Sequence, residues 1–410
     1  MALEPAGPGA DSSVEPSISR PAVERAKQHV ARTLACDAEQ LVRLSERLHA
    51  NPETAWEEHR AAGWVAELLD EAGFVVTPAY LGLDTAFLAT YGTGPFRLGL
   101  CAEYDALPGL GHACGHNLIA AITVGAARSL AALADDAGLT VEVYGTPAEE
   151  GGGGKIELLE RGAFAGLDLA MLAHPAPVDI AEAEALAVSH SHVAFTGRAA
   201  HAAAFPEQGI NAADAFTVAQ VAIGLLRQHL PQTVRVHGVV TDGGVAPNAV
   251  PDRTEGRWYV RAERLEALAE VERRVWHCFE AGALATGCTV EVTPESKPYA
   301  EFRTFEPAQR AYVANAARLG RRFDQDSPGR RMNRASTDMG NVSQAVPAIH
   351  PYIGIDSLPA LNHQPEFAAH CVGPAAERAL LDAATALAWT ALDVATGETI
   401  APAATPDSCH

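Results

Sequence analysis

Basic residues are in short supply. Thirty Lys and Arg face 51 Asp and Glu in a chain of 410 residues, leaving a formal net charge of −21. A surface that negative repels a phosphate backbone, so a nucleic-acid partner is not expected. Solubility is the ordinary use of such a charge. Cysteines are also few, and seven scattered positions make no disulfide framework, which suits a reducing cytoplasm. Long hydrophobic runs are missing. The best one, Leu118 to Ala134, is broken by Arg128, and no stretch of about 18 uncharged apolar residues occurs, so no membrane anchor is expected. The opening residues, with Pro5, Pro8, Asp11 and Glu15, lack the basic start and apolar core of a secretory signal. Residues 1–20 read as a disordered leader and 401–410 as a loose tail. Only 6% of the chain is aromatic, yet 48% is hydrophobic, enough for a large core and a length suited to two or three domains.

Between the ends, helical and strand patterns alternate. Val23 to His49 and Glu57 to Gly73 carry apolar residues at helical spacing. Leu98 to Ala102, Thr140 to Gly145 and Leu167 to Ala173 are short apolar runs bounded by turn residues, expected as buried strands. An alanine-rich helix over Leu118 to Leu133 separates the first two. Strand, helix and strand at this spacing predict an α/β sheet covered on both faces. The middle of the chain differs. Strands at His190–Phe195, Thr233–Thr241, Glu255–Ala262 and Cys288–Val292, with helices at Asn211–Gln228 and Leu265–Ala285, give a βαββαβ order. Helices over Glu306–Leu319 and Ala375–Ala395 then return to the earlier style. The expected architecture is a discontinuous α/β domain, 21–188 and 296–400, interrupted by a smaller α+β domain at 189–295.

Polar residues gather where the apolar strands end. The first strand runs into Glu103-Tyr104-Asp105 and then His112-Ala113-Cys114-Gly115-His116-Asn117; the second runs into Pro147-Ala148-Glu149-Glu150; the third ends in His174-Pro175. A fourth cluster, Leu361-Asn362-His363-Gln364-Pro365, precedes the last helix. Ligands collect at the carboxyl ends of strands in open α/β sheets, so the first three loops should converge. Singly, each cluster has a structural explanation: a hydrogen-bonded histidine, a solvated acidic pair, a buried thiol. Gly151 to Gly154 followed by Lys155 resembles a phosphate loop but lacks its spacing and its Ser or Thr. Together, imidazole, thiolate and carboxylate suit a transition metal, zinc or manganese first, with cobalt or nickel as alternatives. Cys114, His116, Glu150, His174 and His363 exceed what one four-coordinate catalytic zinc takes, which points to two divalent ions sharing a water. Glu149 is left as a carboxylate free to accept a proton.

These motifs resemble the dinuclear-metal aminoacylase and carboxypeptidase family from about residue 24 to residue 398. The likeness continues through Gly197-Arg198-Ala199-Ala200-His201-Ala202-Ala203, Gly243-Gly244-Val245-Ala246-Pro247-Asn248 and Ala335-Ser336-Thr337-Asp338-Met339-Gly340. It implies a metallopeptidase-type catalytic α/β domain with an inserted lid and dimerisation domain, hence a homodimer through 189–295. It implies Cys114, His116, Glu150, His174 and His363 as the metal shell and Glu149 as general base. Asp105 would stand behind the shell and orient a ligand. His201 would reach the partner subunit's site to steady an oxyanion, and Asn248 would contact substrate. Glu103, Asn117 and the stretch around Asp338 depart from the auxin-conjugate branch. They fall with the cytosolic β-alanyl-lysine-type dipeptidases and aminobenzoyl-glutamate hydrolases. The implied activity is hydrolysis of the amide in a dipeptide or N-acyl amino acid, with a β-alanyl or similar dipeptide carrying a basic residue leading. Alternatives are an aminobenzoyl-glutamate or N-acyl-amino-acid amidohydrolase and, in another class, a catalytically inactive metal- or metabolite-binding protein.

Overall fold

The computed structural model describes residues 20–397. The leader expected at 1–20 lies outside this range except for Arg20, which begins the first helix, and the tail at 401–410 lies wholly outside it.

The first and last parts of the chain build one layered α/β unit. Its six-stranded sheet contains β1 (Val75–Pro78), β2 (Phe87–Tyr91), β3 (Phe96–Ala102), β4 (Leu139–Gly145), β5 (Leu169–Met171) and the late β11 (Ala348–Ile349), in the spatial order β1-β2-β4-β3-β5-β11. β4, β3, β5 and β11 run parallel, whereas β2 is antiparallel to both of its neighbours. The apolar runs are continuous because both faces are covered. Leu98, Leu100, Val141 and Val143 point into one core, and Cys101 and Tyr144 into another.

The first core is closed by α1 (Arg20–Ala50), α2 (His59–Glu71), α3 (His116–Ala131), α8 (Glu306–Arg318) and α11 (Pro374–Ala395). The second lies under α5 (Gly154–Glu160) and α9 (Met339–Ala345). Short helices α4 (Ala134–Ala137) and α10 (Pro365–His370) complete this unit. α3 is buried along every residue but Arg128, which explains its alanines. A Cβ on Gly125 would lie 2.9 Å from Leu41 and 3.0 Å from Leu34, so this helix must be slim to sit between its neighbours.

The inserted unit has the expected βαββαβ order: β7 (Ala187–Thr196), α6 (Ala212–Arg227), β8 (Arg235–Asp242), β9 (Arg253–Ala262), α7 (Leu265–Thr286) and β10 (Thr289–Pro294). Its antiparallel sheet, ordered β10-β7-β9-β8, packs with both helices around Phe195, Phe216, Trp258 and Phe279. Asn211 caps α6, its side-chain oxygen accepting from the Ala213 N–H at 2.9 Å.

Two features differ from the sequence expectation. The strand expected over Leu167–Ala173 shrinks to β5, and the chain then forms β6 (His174–Ala176), paired in parallel with β12 (Tyr352–Gly354) in a separate small sheet. β1 and β2 are additional; β1 is largely exposed, so it carries no apolar alternation to read.

A buried ion pair ties the termini of this unit together. Lys27 on α1 meets Asp393 on α11 at 2.5 Å and donates to Asn315 on α8 at 3.1 Å, while the Trp389 indole donates to the Lys27 carbonyl at 2.8 Å. Breaking one side of such a pair costs about 3–5 kcal/mol. Lys27→Met should therefore lower the urea unfolding free energy by about that amount, and Lys27→Met/Asp393→Leu should recover part of it.

Candidate active site

Strand ends set the positions of the reactive groups. β3 delivers Glu103 and Asp105, and the turn before α3 holds Cys114 with His116 as the first helical residue. Gly115 separates them at φ 84, and a Cβ there would lie 2.9 Å from Pro175, so glycine alone allows this tight turn. The loop after β4 carries Glu149 and Glu150, and His174 opens β6. His363, at φ 69, is brought in from a distant loop by a hydrogen bond from its N–H to the Ala113 carbonyl at 2.8 Å.

The donor atoms of Cys114, His116 and His174 all lie within 4.8 Å of one another, as do those of Cys114, Glu150 and His363. Cys114 belongs to both groups. Its sulfur is 3.6 Å from His174 Nε2, and His363 Nε2 is 3.3 Å from Glu150 Oε1. Tetrahedral zinc, with sulfur at about 2.3 Å and nitrogen at about 2.0 Å, sets neighbouring donors about 3.5 Å apart, so these residues fit two metal ions. Orphaned atoms point the same way. His116 Nδ1 is bonded to Asp105 Oδ1 at 2.9 Å, while its buried Nε2 has no hydrogen-bond partner among the described residues, nor does Glu150 Oε1. Asp105 Oδ2 also accepts from the Glu150 N–H at 2.9 Å, so one carboxylate orients two of the candidate ligands.

The electrostatics are those of a crowded anionic pocket. Burial works against ionisation of Cys114, but the charge of His174 and the neighbouring imidazoles of His116 and His363 outweigh it and hold the thiol well below its usual range. Burial and the neighbouring Glu103, Glu150 and Asp338 push the Glu149 carboxyl well above the usual range. Glu103 is opposed by burial too, yet Lys155, His116 and His174 pull it down to about 2.

Among the expected residues, Cys114, His116, Glu149, Glu150, His174, His363 and Asp105 come together. His201 and Asn248 do not join them. Both are exposed on paired loops of the inserted unit, where His201 bridges Ala249 and the Ala202 N–H donates to the Asn248 carbonyl at 3.0 Å. Neither lines the cavity of about 620 Å³ that opens on Cys114, Glu149 and His174. β7 and β9 also line that cavity, through His190, Tyr259 and Arg261. Arg261, His350 and Lys155 are additions that sequence reasoning missed. The first two carried no motif, and Lys155 drew notice only as part of a failed phosphate loop. An arginine in the strand-like run before Leu265 was the one signal available for Arg261.

Residues 95–388 match the Peptidase family M20/M25/M40. The chain belongs to that family. It is 41% identical over 406 residues to the Xaa-Arg dipeptidase of Mus musculus, covering 95% of this chain and 93% of the relative. It is 33% identical over 298 residues to one of the subunits of the p-aminobenzoyl-glutamate hydrolase of Escherichia coli strain K12, covering 67% of this chain and 62% of that subunit. A dinuclear metal binding peptidase from the M20 family of Bacillus subtilis superposes with a TM-score of 0.65 at 23% identity, over 89% of this chain and all of that one. This M20-family chain is thus a hydrolase with a candidate metal-binding centre, as its motifs implied.

Buried histidines make this M20-family protein sensitive to acid. Burial lowers His350 to about 3 and His190 to about 4, and His350 has no hydrogen-bond partner on either ring nitrogen among the described residues. In the unfolded chain these groups take up a proton near pH 6.5 while the folded ones do not, so stability is full above pH 6.5 and is lost as pH falls towards 3. His350→Gln should flatten this slope in urea melts between pH 6.5 and 4.

Proposed function

We propose that the protein is a dipeptidase that hydrolyses the amide between an aminoacyl or acyl group and a C-terminal amino acid, with a basic residue at that C-terminal position. The observation that carries this reading is the pair of donor groups sharing Cys114, with the carboxylate of Glu149 beside them. The name of the 41% identical relative, a dipeptidase for Xaa-Arg, supports the basic residue.

In this reading Cys114, His116 and His174 hold one ion and Cys114, Glu150 and His363 the other, zinc or manganese in each. When bound, the ions supply Lewis acidity to a carbonyl and acidify water. Glu149 accepts the proton of the attacking water and returns it to the leaving nitrogen. Its backbone is anchored by the Tyr299 hydroxyl, which donates to the Glu149 carbonyl at 2.7 Å. Arg261 seats the substrate carboxylate. It is partly buried, donates to Ser336 Oγ at 2.5 Å and has no carboxylate in ion-pair range among the described residues. His201 and Asn248 serve the site of a second subunit, since both are remote from the cavity of their own chain. Exposed Val221, Leu225, Val239, Val245 and Leu284 on the inserted unit, with the edge strand β8, favour a homodimer through residues 189–295. The cytoplasm is the proposed home, which six free cysteines among the described residues suit.

A second reading has its own observation. Arg257, Arg331 and Arg334 line the same cavity, which favours an extra carboxylate on the leaving group, as in aminobenzoyl-glutamate. The deciding experiment measures metal content together with hydrolysis of β-alanyl-lysine, β-alanyl-arginine, aminobenzoyl-glutamate and N-acetyl amino acids. Two ions per chain with chelator-sensitive cleavage of the basic dipeptides is expected. Preference for aminobenzoyl-glutamate would select the second reading, and no cleavage of any amide would favour a binding protein. Glu149→Gln should keep both ions and cut kcat by about two to four orders of magnitude, the scale of general acid–base catalysis. Arg261→Met should raise KM at least tenfold for substrates with a free carboxylate, and much less for their amides.

A further inference from the structure

The pocket contains a third group of donor atoms within 4.8 Å of one another: Glu103, His116 and Glu149. Glu103 Oε2 lies 3.5 Å and Glu149 Oε2 3.9 Å from His116 Nε2. These are distances at which atoms can share an ion, and two carboxylates with one imidazole make a set that hard divalent cations favour. The set competes with the centre assigned above. With Nδ1–H donating to Asp105, His116 Nε2 has one lone pair and can serve only one ion. A cation here would also occupy Glu149, the proton acceptor.

Against this third position stands one fully buried cation. Lys155 Nζ is 2.6 Å from Glu103 Oε1 and 2.7 Å from Asp338 Oδ1, and the Lys155 N–H donates to Asp338 Oδ2 at 2.9 Å. Glu103, Lys155 and Asp338 all have zero exposure. The ammonium therefore cannot swing into solvent, and Asp338 grips both its head and its backbone. In an interior where water screens little, a fixed positive charge on Glu103 strongly opposes a divalent ion on the same carboxylate.

We propose that Lys155 is a positioning residue for the metal centre: it blocks the Glu103–His116–Glu149 position, so that His116 remains available to the ion shared with Cys114 and His174. The proposal rests on the two-ion reading above. A purely structural role would be to neutralise Glu103 and Asp338, and a charge-balanced replacement separates the two roles. Lys155→Met/Asp338→Asn removes one buried charge of each sign and leaves Glu103 free.

The test titrates Mn²⁺ into the chelator-stripped full chain and counts bound ions from the free Mn²⁺ signal in electron paramagnetic resonance. Inhibition by excess Mn²⁺ is followed in parallel on the best substrate of the panel. Wild type should bind two ions. The double variant should bind a third, on Glu103 and Glu149, which draws His116 away from the ion on Cys114 and His174, and it should be inhibited at Mn²⁺ concentrations at least tenfold lower; adding Glu103→Gln should abolish both effects. Lys155→Gln, which keeps a donor for the carboxylates, is a second test with the same expectation should the double variant fold poorly. Lys155→Arg should stay at two ions. Variants that bind two ions with unchanged inhibition overturn the guard role while leaving the two-ion reading standing, and so does a wild type that already binds three. A wild type that binds none overturns both.

Discussion

Negative charge concentrated where water is scarce is the constraint on which the rest of this structure depends. Glu103, Asp105, Glu149, Asp338 and the thiol of Cys114 are all buried, Glu150 is nearly so, and one buried ammonium stands among them. Such a set is untenable unless cations or protons compensate it. The Nε2 of His116 and the Oε1 of Glu150, without hydrogen-bond partners among the described residues, mark where that compensation would sit. The parallel strands β3 and β4 bring backbone and side chains to this point together, and the slim helix α3 starts on one of the donors. Packing and chemistry are thus the same problem: the alanines of α3 let it lie close enough to the sheet for His116 to be fully buried.

Asp105 shows how the shell is held. By accepting from His116 and from the backbone of Glu150, it presents an imidazole lone pair and a carboxylate to the same space. Lys155 works on the other side, bound to Glu103 and Asp338, so the two carboxylates that flank His116 are given different partners. The M20-family relationship tells which chemistry such a centre serves. The inserted unit contributes to the same cavity, since His190, Tyr259 and Arg261 line it together with the candidate metal-binding residues.

Much of this was legible in the sequence, for identifiable reasons. The βαββαβ order of the inserted unit was readable because its strands are bounded by turn residues and its two helices, after β7 and β9, have a clear period. Four of the five candidate ligands and Glu149 were readable because they lie in the loops that leave apolar strands, and His363 because it stands in a polar cluster before the last helices. β1 escaped because an exposed edge strand has no alternation, and β6 with β12 escaped because each is three residues long and pairs with a strand far away in the chain. Lys155 escaped because its partners are Glu103 and Asp338, the latter 183 residues away.

What the sequence by itself determined is local: periodicity, strand ends, the glycine between Cys114 and His116, and the residue types that define the chemistry. Those depend on covalent geometry and on neighbours a few residues apart, which every stretch of chain carries with it. Only the tertiary structure decided that Cys114 belongs to two donor groups at once, that Lys155 is buried on Glu103, and that His201 and Asn248 stand away from their own cavity. Each of these is a distance between side chains from remote segments, set by how the helices and sheets pack rather than by any spacing along the chain.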